Sequence, residues 1–255
     1  MSKQAAPQTA GQKLRQTVLL LALALVSVSA ASYAWFSISS NTRVTSMNLD
    51  ITSGVNLRFD TASHNKFADY RKSLTFEDIA NQIRAAFGFD PATTALEPVT
   101  TRTGADFATE QGVAVPAEDG SYLEFTLHFM GTKDMEVHLT SENSDEAEDG
   151  TLVQGMNGAD AIAQALRISF TADDATAIYQ PQGTSEGTFT LASAAQMQYN
   201  DTNLLFMLTA DTDKEVTVRV WLEGTDAACT DDLRGSDYQI RLRFQGTGPD
   251  GVPLT

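Results

Sequence analysis

Side chains suited to acid–base or metal chemistry are few in this chain. It has three histidines, His64, His128 and His138, and the last two fall in neighbouring predicted strands where their rings could approach each other. A zinc site needs about three or four protein ligands at characteristic spacings. The sequence has no HExxH motif and no third ligand at such a spacing. We predict that all three histidines have structural roles or lie at the surface. His128 alternates with Leu127 and Phe129, so its side chain should point to solvent on the opposite side of the strand.

The single cysteine, Cys229, is the strongest nucleophile by residue type, but its sequence context argues against catalysis. It lies in an acidic stretch, which would raise the pKa of its thiol instead of activating it. The sequence has no GxSxG or SxxK motif and no glycine-rich phosphate loop after a strand. A lone cysteine cannot form an intrachain disulfide, so the fold depends on its own core. We expect no catalytic residue and no enzymatic activity.

Calcium is the one cofactor that the sequence leaves open. Oxygen-rich acidic stretches occur at residues 143–149, 211–213 and 223–237. A calcium ion needs about six to eight converging oxygen ligands, and none of these stretches has the EF-hand spacing. We interpret them as solvated loops and predict no bound metal or other cofactor.

The N-terminal region indicates where the protein works. It begins with a basic head of Lys3, Lys13 and Arg15, and no further charge occurs until Arg43. An apolar core at residues 18–28 is followed by small residues. Export signals have this pattern, in which a basic start, an apolar core of roughly 7–15 residues and a small-residue cleavage site follow one another.

Two fates of this segment stay open. Cleavage between Ala34 and Trp35 would place Ser32 and Ala34 at the −3 and −1 positions. Alternatively, residues 17–36 are an uncleaved anchor, since about 20 apolar residues span a bilayer. We therefore divide the chain into residues 1–34, a signal peptide or membrane anchor with a hydrophobic helix, and residues 35–255, a single domain. Either fate places the domain outside the cytoplasm.

The charge of the domain restricts its partners. The net charge is −16 for the whole chain, and since the basic head contributes +3, the remainder carries −19. Such an acidic surface repels nucleic acid and anionic membranes. We therefore exclude nucleic acid as a partner.

Most of the domain has the alternating apolar and polar residues of half-buried strands. In the clearest run, residues 122–130, the residues that face one side are Leu123, Phe125, Leu127 and Phe129. A second run at residues 135–139 follows a short turn, and we predict that the two form a hairpin. Further runs lie at residues 43–60, 167–171, 204–208, 216–222 and 238–244.

Two segments have helical patterns instead. Residues 73–88 place apolar residues on one helical face, with Thr75 as a cap and Gly88 as a stop, and residues 160–166 form a second, shorter candidate. Residues 90–120 show little periodicity and are expected to form a long loop. The pattern predicts a mainly β fold, a jelly-roll-like antiparallel β-sandwich with one or two short helical insertions.

Two segments also resemble a known group of exported proteins. The signal end, SYAWFSISSNTRV, is similar to that of TasA/camelysin-like proteins, which a SipW-type signal peptidase processes; the matching residues are Ser32, Tyr33, Ala34 and Phe36. Residues 216–247 look like the closing strand pair of Gram-positive proteins with that signal class.

The resemblance implies a secreted surface or biofilm-matrix protein that forms fibres. An N-terminal extended segment, about residues 35–48, would add as a strand to the next subunit, because an open sheet edge offers unpaired backbone groups. The assembly residues would be Trp35, Phe36, Ile38, Val44 and Met47. The expected partners are other copies, the signal peptidase during export, and matrix or wall components. The alternatives are a membrane-anchored binding module for a wall polymer or ligand, a secreted hydrolase with an unrecognised site, and an accessory factor in fibre assembly. The resemblance also implies, as a further alternative, a secreted camelysin-type metallopeptidase.

Overall fold

The computed structural model divides the chain into two units, Met1–Ser37 and Ile38–Thr255. It describes residues 18–21, 24, 43–51, 56–141, 150–156, 159, 161–181, 190–191, 197–233 and 236–254; at residues 43–51 and 190–191 only the backbone is described. In the first unit, residues 18–21 and 24 are helical and exposed. Among the described residues, none of the helices has both the length and the apolar character needed to cross a membrane.

The second unit is mainly β. Its strands, in chain order, are β1 (Arg43–Ile51), β2 (Leu57–Asp60), β3 (Ser73–Leu74), β4 (Leu123–Gly131), β5 (Met135–Leu139), β6 (Leu152–Gly155), β7 (Leu166–Ala172), β8 (Ala175–Tyr179), β9 (Thr190–Leu191), β10 (Phe206–Leu208), β11 (Lys214–Leu222) and β12 (Asp237–Thr247). They form two six-stranded sheets. Sheet A has the order β10-β5-β12-β1-β3, with β6 also paired to β12, and sheet B has the order β2-β4-β11-β7-β8-β9.

Both sheets are predominantly antiparallel, as the alternating pattern predicts. The described exceptions are the parallel pairs β1–β12 in sheet A and β8–β9 in sheet B. A parallel pair needs a long crossover connection. The β1–β12 pair therefore joins the beginning of the domain to its end, a partnership that no local pattern contains.

One hydrophobic core lies between the two sheets. Along β4 the fully buried residues alternate with partly exposed ones, so its apolar side chains face inward. Phe59 and Phe129 of sheet B contact Phe244 of sheet A, with ring centroids 5.9 and 5.0 Å apart. Burial of these side chains is the main contribution to stability, at about 1.5–3 kcal/mol for each large apolar side chain.

The predicted hairpin between β4 and β5 is wrong. β4 pairs with β2 and β11 in sheet B, whereas β5 pairs with β10 and β12 in sheet A. The turn after Gly131 therefore carries the chain from one sheet to the other. Alternation reports that each strand has one buried face, but it does not report which strand is the neighbour. Consequently His128 and His138 lie in different sheets, and the expected approach of these two strands does not occur.

The predicted helix at residues 73–88 is confirmed as α1 (Phe76–Phe87). Thr75 and Asp78 form a capping box at its start, and Gly88 ends it in the left-handed conformation with φ 79°. Its buried residues are Ile79, Ala80 and Ile83, and it lies against β4 and β1. The second predicted helix is a single turn, α2 (Ile162–Ala165), which leads directly into β7.

A second hydrophobic cluster covers part of the outer face of sheet B. It contains Trp221, which is 1% exposed, together with Phe107 and Tyr122 from the long loop before β4. The Phe107 ring lies 4.1 Å from that of Tyr122 and 5.1 Å from that of Trp221, measured between centroids. This loop therefore buries one end of the outer face and leaves the other end, near the β10–β11 turn, open.

Candidate functional site

Most residues predicted to direct export and assembly lie outside the described residues. This holds for Ser32, Ala34, Trp35, Phe36 and Ile38, and also for the acidic stretch at residues 142–149. Val44 and Met47 are the assembly residues that the structure describes, through the backbone of β1. For the predicted assembly segment, the structure therefore describes only the part that lies in β1, and it shows which strands β1 pairs with.

β1 lies inside its own sheet. Along one edge it pairs in parallel with β12, where Val44 is opposite Tyr238 and Met47 is opposite Ile240. The register shifts between Val44 and Ser46, and in the sequence the apolar alternation also shifts by one residue between Val44 and Met47. Along the other edge β3 pairs only with Leu49 and Asp50. Among the described strands, none pairs with this edge of β1 at residues 43–48.

A second candidate site surrounds Asp213, the residue immediately before β11. Its carboxylate accepts hydrogen bonds from the Tyr70 hydroxyl at 2.6 Å, the Ser63 hydroxyl at 2.8 Å and His128 Nδ1 at 2.9 Å. Burial raises the pKa of Asp213, but the bonds from Tyr70, Ser63 and His128 outweigh it, so the pKa is lowered from 3.8. His128 is on the outer face, as predicted, but its side chain is only 14% exposed.

Asp60 forms an adjoining cluster at the end of β2. Arg71 donates to both of its carboxylate oxygens, at 3.1 and 2.9 Å, and His64 Nε2 lies 3.2 Å from Oδ2. Burial raises the pKa of Asp60, and the Arg71 hydrogen bonds lead the contributions that bring it below 3.8 overall. Tyr70 joins the two clusters, because its hydroxyl accepts a hydrogen bond from the backbone N–H of His64 and donates one to Asp213. His64 and His128 thus fix residues 60–71 to the sheet, which is a structural role.

A polar cleft of about 390 Å³ opens beside Asp213. Its lining residues are Thr171, Asp173, Thr209, Thr212, Asp213, Lys214, Glu215 and Thr217. Lys214 Nζ lies 2.7 Å from Asp173 Oδ2, so these two charges offset each other. The cleft therefore presents threonine hydroxyl groups together with the carboxylates of Asp213 and Glu215 to a ligand.

Two sharp turns shape this cleft. Asp173 and Asp211 both have the left-handed backbone conformation, with φ 52° and 54°. Aspartate tolerates this conformation better than most residues. Each is the third residue of a Thr-Ala-Asp sequence at the end of a strand, and this repeated tripeptide is a sequence signal that could have indicated the cleft.

A row of threonines crosses the outer face of sheet B at the cleft. Thr126, Thr217, Thr171 and Thr176 are opposite one another on β4, β11, β7 and β8, and all four are half-buried. Opposite residues on neighbouring strands face the same side of a sheet. The row is an array of hydroxyl donors and acceptors, without an aromatic platform in it.

The third histidine, His138, is fully buried in β5. Its Nδ1 lies 3.1 Å from both the backbone oxygen and the side-chain oxygen of Asn203, so it must be the donor to both. His138 therefore fastens the segment before β10 to sheet A. Among the described residues, no group of three or more His, Cys, Asp or Glu side chains is placed to hold a metal ion.

The Cys229 thiol has a raised pKa, the direction predicted from its acidic context, but burial is the larger cause. Burial raises the pKa of its thiol to about 12, with further contributions from Asp226 and Glu223. A thiol with this pKa is almost wholly protonated at neutral pH, whereas the thiolate is the reactive form.

Compared with known proteins, the chain matches no family model, no curated protein and no solved structure.

Proposed function

We propose that this is an exported structural protein of the cell surface or extracellular matrix, and that it forms fibres by adding an N-terminal strand of one subunit to the next. One observation carries the proposal. The C-terminal half of the predicted donor segment is a strand, β1, whose backbone already pairs with β12 at the end of the domain. β1 thus holds the base of the donor segment in its own sheet, and residues 35–42, which immediately precede it, would extend to an open sheet edge of the next subunit.

The position of β1 in the chain suits such an addition. It is the first of the described strands, and residues 52–56 separate it from β2 in the other sheet. A contact in which each subunit donates to the next is heterologous and does not close, so it produces filaments. We also propose that the two sheets have jelly-roll connectivity and that the protein is similar to TasA/camelysin-like matrix proteins. The domain has a structural, non-enzymatic role in it, and the partners are other copies and matrix components.

Electron microscopy of a truncated chain tests the proposal. The intact exported chain should form filaments at high concentration, and deletion of residues 35–41 should leave a folded monomer with an unchanged far-UV circular dichroism spectrum. Val44→Pro should also weaken assembly, because proline removes a backbone donor from the ladder. A chain that stays monomeric under all conditions, or a truncated chain that assembles equally well, would refute the fibre function.

The cleft beside Asp213 favours one second candidate, a membrane-anchored module that binds a wall polymer. Its threonine hydroxyls and its carboxylates are groups that can hydrogen-bond the hydroxyls of a ligand such as a polysaccharide. Titration calorimetry with soluble wall oligosaccharides tests this function. Thr217→Val, which keeps the side-chain shape and removes the hydroxyl, should weaken binding, whereas Thr93→Val outside the cleft should not. Equal affinities for the two variants would eliminate the cleft as the binding site.

A further inference from the structure

One edge of sheet B is completed by a side chain instead of a strand. β2 pairs with β4 only at residues 128–131, and its last pair is Asp60 with His128. Next along β4, the Thr126 N–H donates to Gln82 Oε1 at 2.8 Å and the Thr126 carbonyl accepts from Gln82 Nε2 at 3.0 Å. The carboxamide of Gln82 thus takes both ladder positions that Ala62 would occupy if β2 continued along β4 in the same register.

Gln82 belongs to α1 and has a third bond that fixes its orientation. Its Nε2 also donates to the Thr61 carbonyl at 3.1 Å, just beyond the end of β2. The amide therefore bridges the point where β2 leaves the sheet and the point where β4 continues without it. The helix itself is held by Ile79 and Ile83, which are fully buried in the core.

Beyond the Gln82 bridge, residues 123–127 of β4 are paired along only one of their two edges among the described strands. Backbone groups of alternate residues point to the same side of a strand. Since Thr126 points its N–H and carbonyl towards α1, Glu124 does so too. Among the described strands, none pairs with residues 123–127 on this side, while β11 pairs with them on the other. Unpaired edges of this kind are where a further strand adds.

We infer that the β4 edge at residues 123–127 is the acceptor of the donated strand, and that Gln82 keeps it closed until residues 35–42 of a second copy displace the amide. This inference rests on the proposed fibre function and names its acceptor. The occupant follows from charge and length. Residues 35–42 carry no charge in a chain of net charge −16, so they meet little repulsion. Eight extended residues span about 26 Å, which exceeds the five-residue edge.

The bridge also explains how a sheet edge can be protected in the monomer and open in a fibre. A strand needs to lie about 4.8 Å from β4, in the position now occupied by the Gln82 side chain. The incoming strand must therefore break the three Gln82 bonds and push α1 aside, and it replaces them with backbone bonds. The amide acts as a competitor for the same backbone groups.

A peptide titration with matched variants tests the inference. A synthetic peptide of residues 35–42 is added to the full-length chain, held in mild detergent, and binding is followed by fluorescence anisotropy while amide hydrogen exchange locates the contact. We expect the Glu124 amide to become protected. Gln82→Met keeps the length of the side chain and removes all three bonds, so it should expose the Thr126 amide and lower the peptide Kd about tenfold. Asn81→Leu, which removes an exposed amide from the same helix, should leave the Kd unchanged.

The outcomes separate this inference from the fibre function. If the peptide binds but protects residues 206–208 or another edge, and Gln82→Met binds it no more tightly, the acceptor is elsewhere and the fibre function stands. If the peptide does not bind and the intact chain forms no filaments, both proposals fail. Protection at Glu124 together with tighter binding to Gln82→Met supports both.

Discussion

Asp213 is the residue on which most of the polar organisation of sheet B converges. Three donors meet at its carboxylate: Ser63 and Tyr70 from the loop after β2, and His128 from β4. Hydrogen bonds to an ionised group contribute more than neutral ones, about 1.5–3 kcal/mol each. The ionised carboxylate of Asp213 therefore connects the loop after β2 to β4 and β11.

The first prediction concerns acid stability. The pKa values of Asp60 and Asp213 are both lowered from 3.8, so the stability that they contribute is complete above that pH and is lost as the pH falls below it towards their folded values. We expect the free energy of unfolding, measured by urea denaturation, to fall steeply below about pH 4. Asp213→Asn should lower it by about 1–3 kcal/mol at pH 7 and flatten the acid slope.

Asp201→Asn is the control for this prediction. Asp201 is exposed and lies in the loop before β10, away from the Asp213 cluster in sequence. Its replacement should leave both the stability at pH 7 and the acid slope unchanged. An acid slope that is the same in Asp213→Asn and the unsubstituted chain would show that the cluster does not govern acid unfolding.

At the scale of elements, the joint between β5 and β12 depends on a missing side chain. Gly246 is opposite Val137, and a Cβ atom added at Gly246 would lie 2.6 Å from Met135 Sδ. A Cβ atom at Gly131 would likewise lie 2.8 Å from Met135 Cε. The Met135 side chain therefore fills the space that two glycines leave, one at the end of β4 and one in β12.

The second prediction follows from this packing. Gly246→Ala should lower the free energy of unfolding by about 1–3 kcal/mol, because overpacking forces neighbouring side chains from their preferred positions. The double variant Gly246→Ala/Met135→Val should recover part of the loss, since valine lacks the sulfur and terminal methyl that clash. Denaturant unfolding of the two single variants and the double variant gives the coupling. Simple additivity of the two effects would contradict the proposed contact.

At the scale of the whole molecule, charge opposes the proposed assembly. The chain carries 33 acidic and 17 basic residues, so copies repel each other unless the charge is screened or neutralised. The Asp60 and Asp213 clusters set a lower limit on useful acidification, because their protonation weakens the domain. Assembly and folding thus respond in opposite directions to strong acid.

The third prediction is a pH window for filaments. Light scattering and electron microscopy should show filament formation increasing with salt and as the pH falls towards about 4–5, where carboxylates begin to bind protons. Below about pH 4 filaments should give way to unfolded aggregates, detected by loss of near-UV circular dichroism. Assembly that is indifferent to salt would remove charge repulsion as the barrier.

The fourth prediction concerns processing of the N-terminal segment. If Ser32 and Ala34 mark a cleavage site, mass spectrometry of the secreted protein should find Trp35 as the first residue. Ala34→Asp should block maturation, because signal peptidases accept small residues at this position, and Ala34→Ser should not. Recovery of full-length chain alone, in the membrane fraction, would favour the anchor over the cleaved signal.

The sequence alone determined most of the long strands and where α1 begins and ends, whereas the short strands β3, β6, β8 and β9 were not predicted. These features are local: alternation follows from one buried face, and the capping box of Thr75 and the left-handed Gly88 need only their neighbours. The raised pKa of Cys229 is local only in part: Asp226 and Glu223 lie three and six positions before it, but burial in the folded domain is the largest cause.

Only the tertiary structure decided which strands are partners. β4 and β5 have patterns that fit a hairpin and yet belong to different sheets, and β1 pairs with β12 across nearly the whole domain. The Asp213 cluster and the Gln82 bridge likewise join residues that are 150 and 44 positions apart. Such partnerships depend on the summed packing of both sheets around one core. A periodic pattern reports only that a residue is buried, and leaves open what it is buried against.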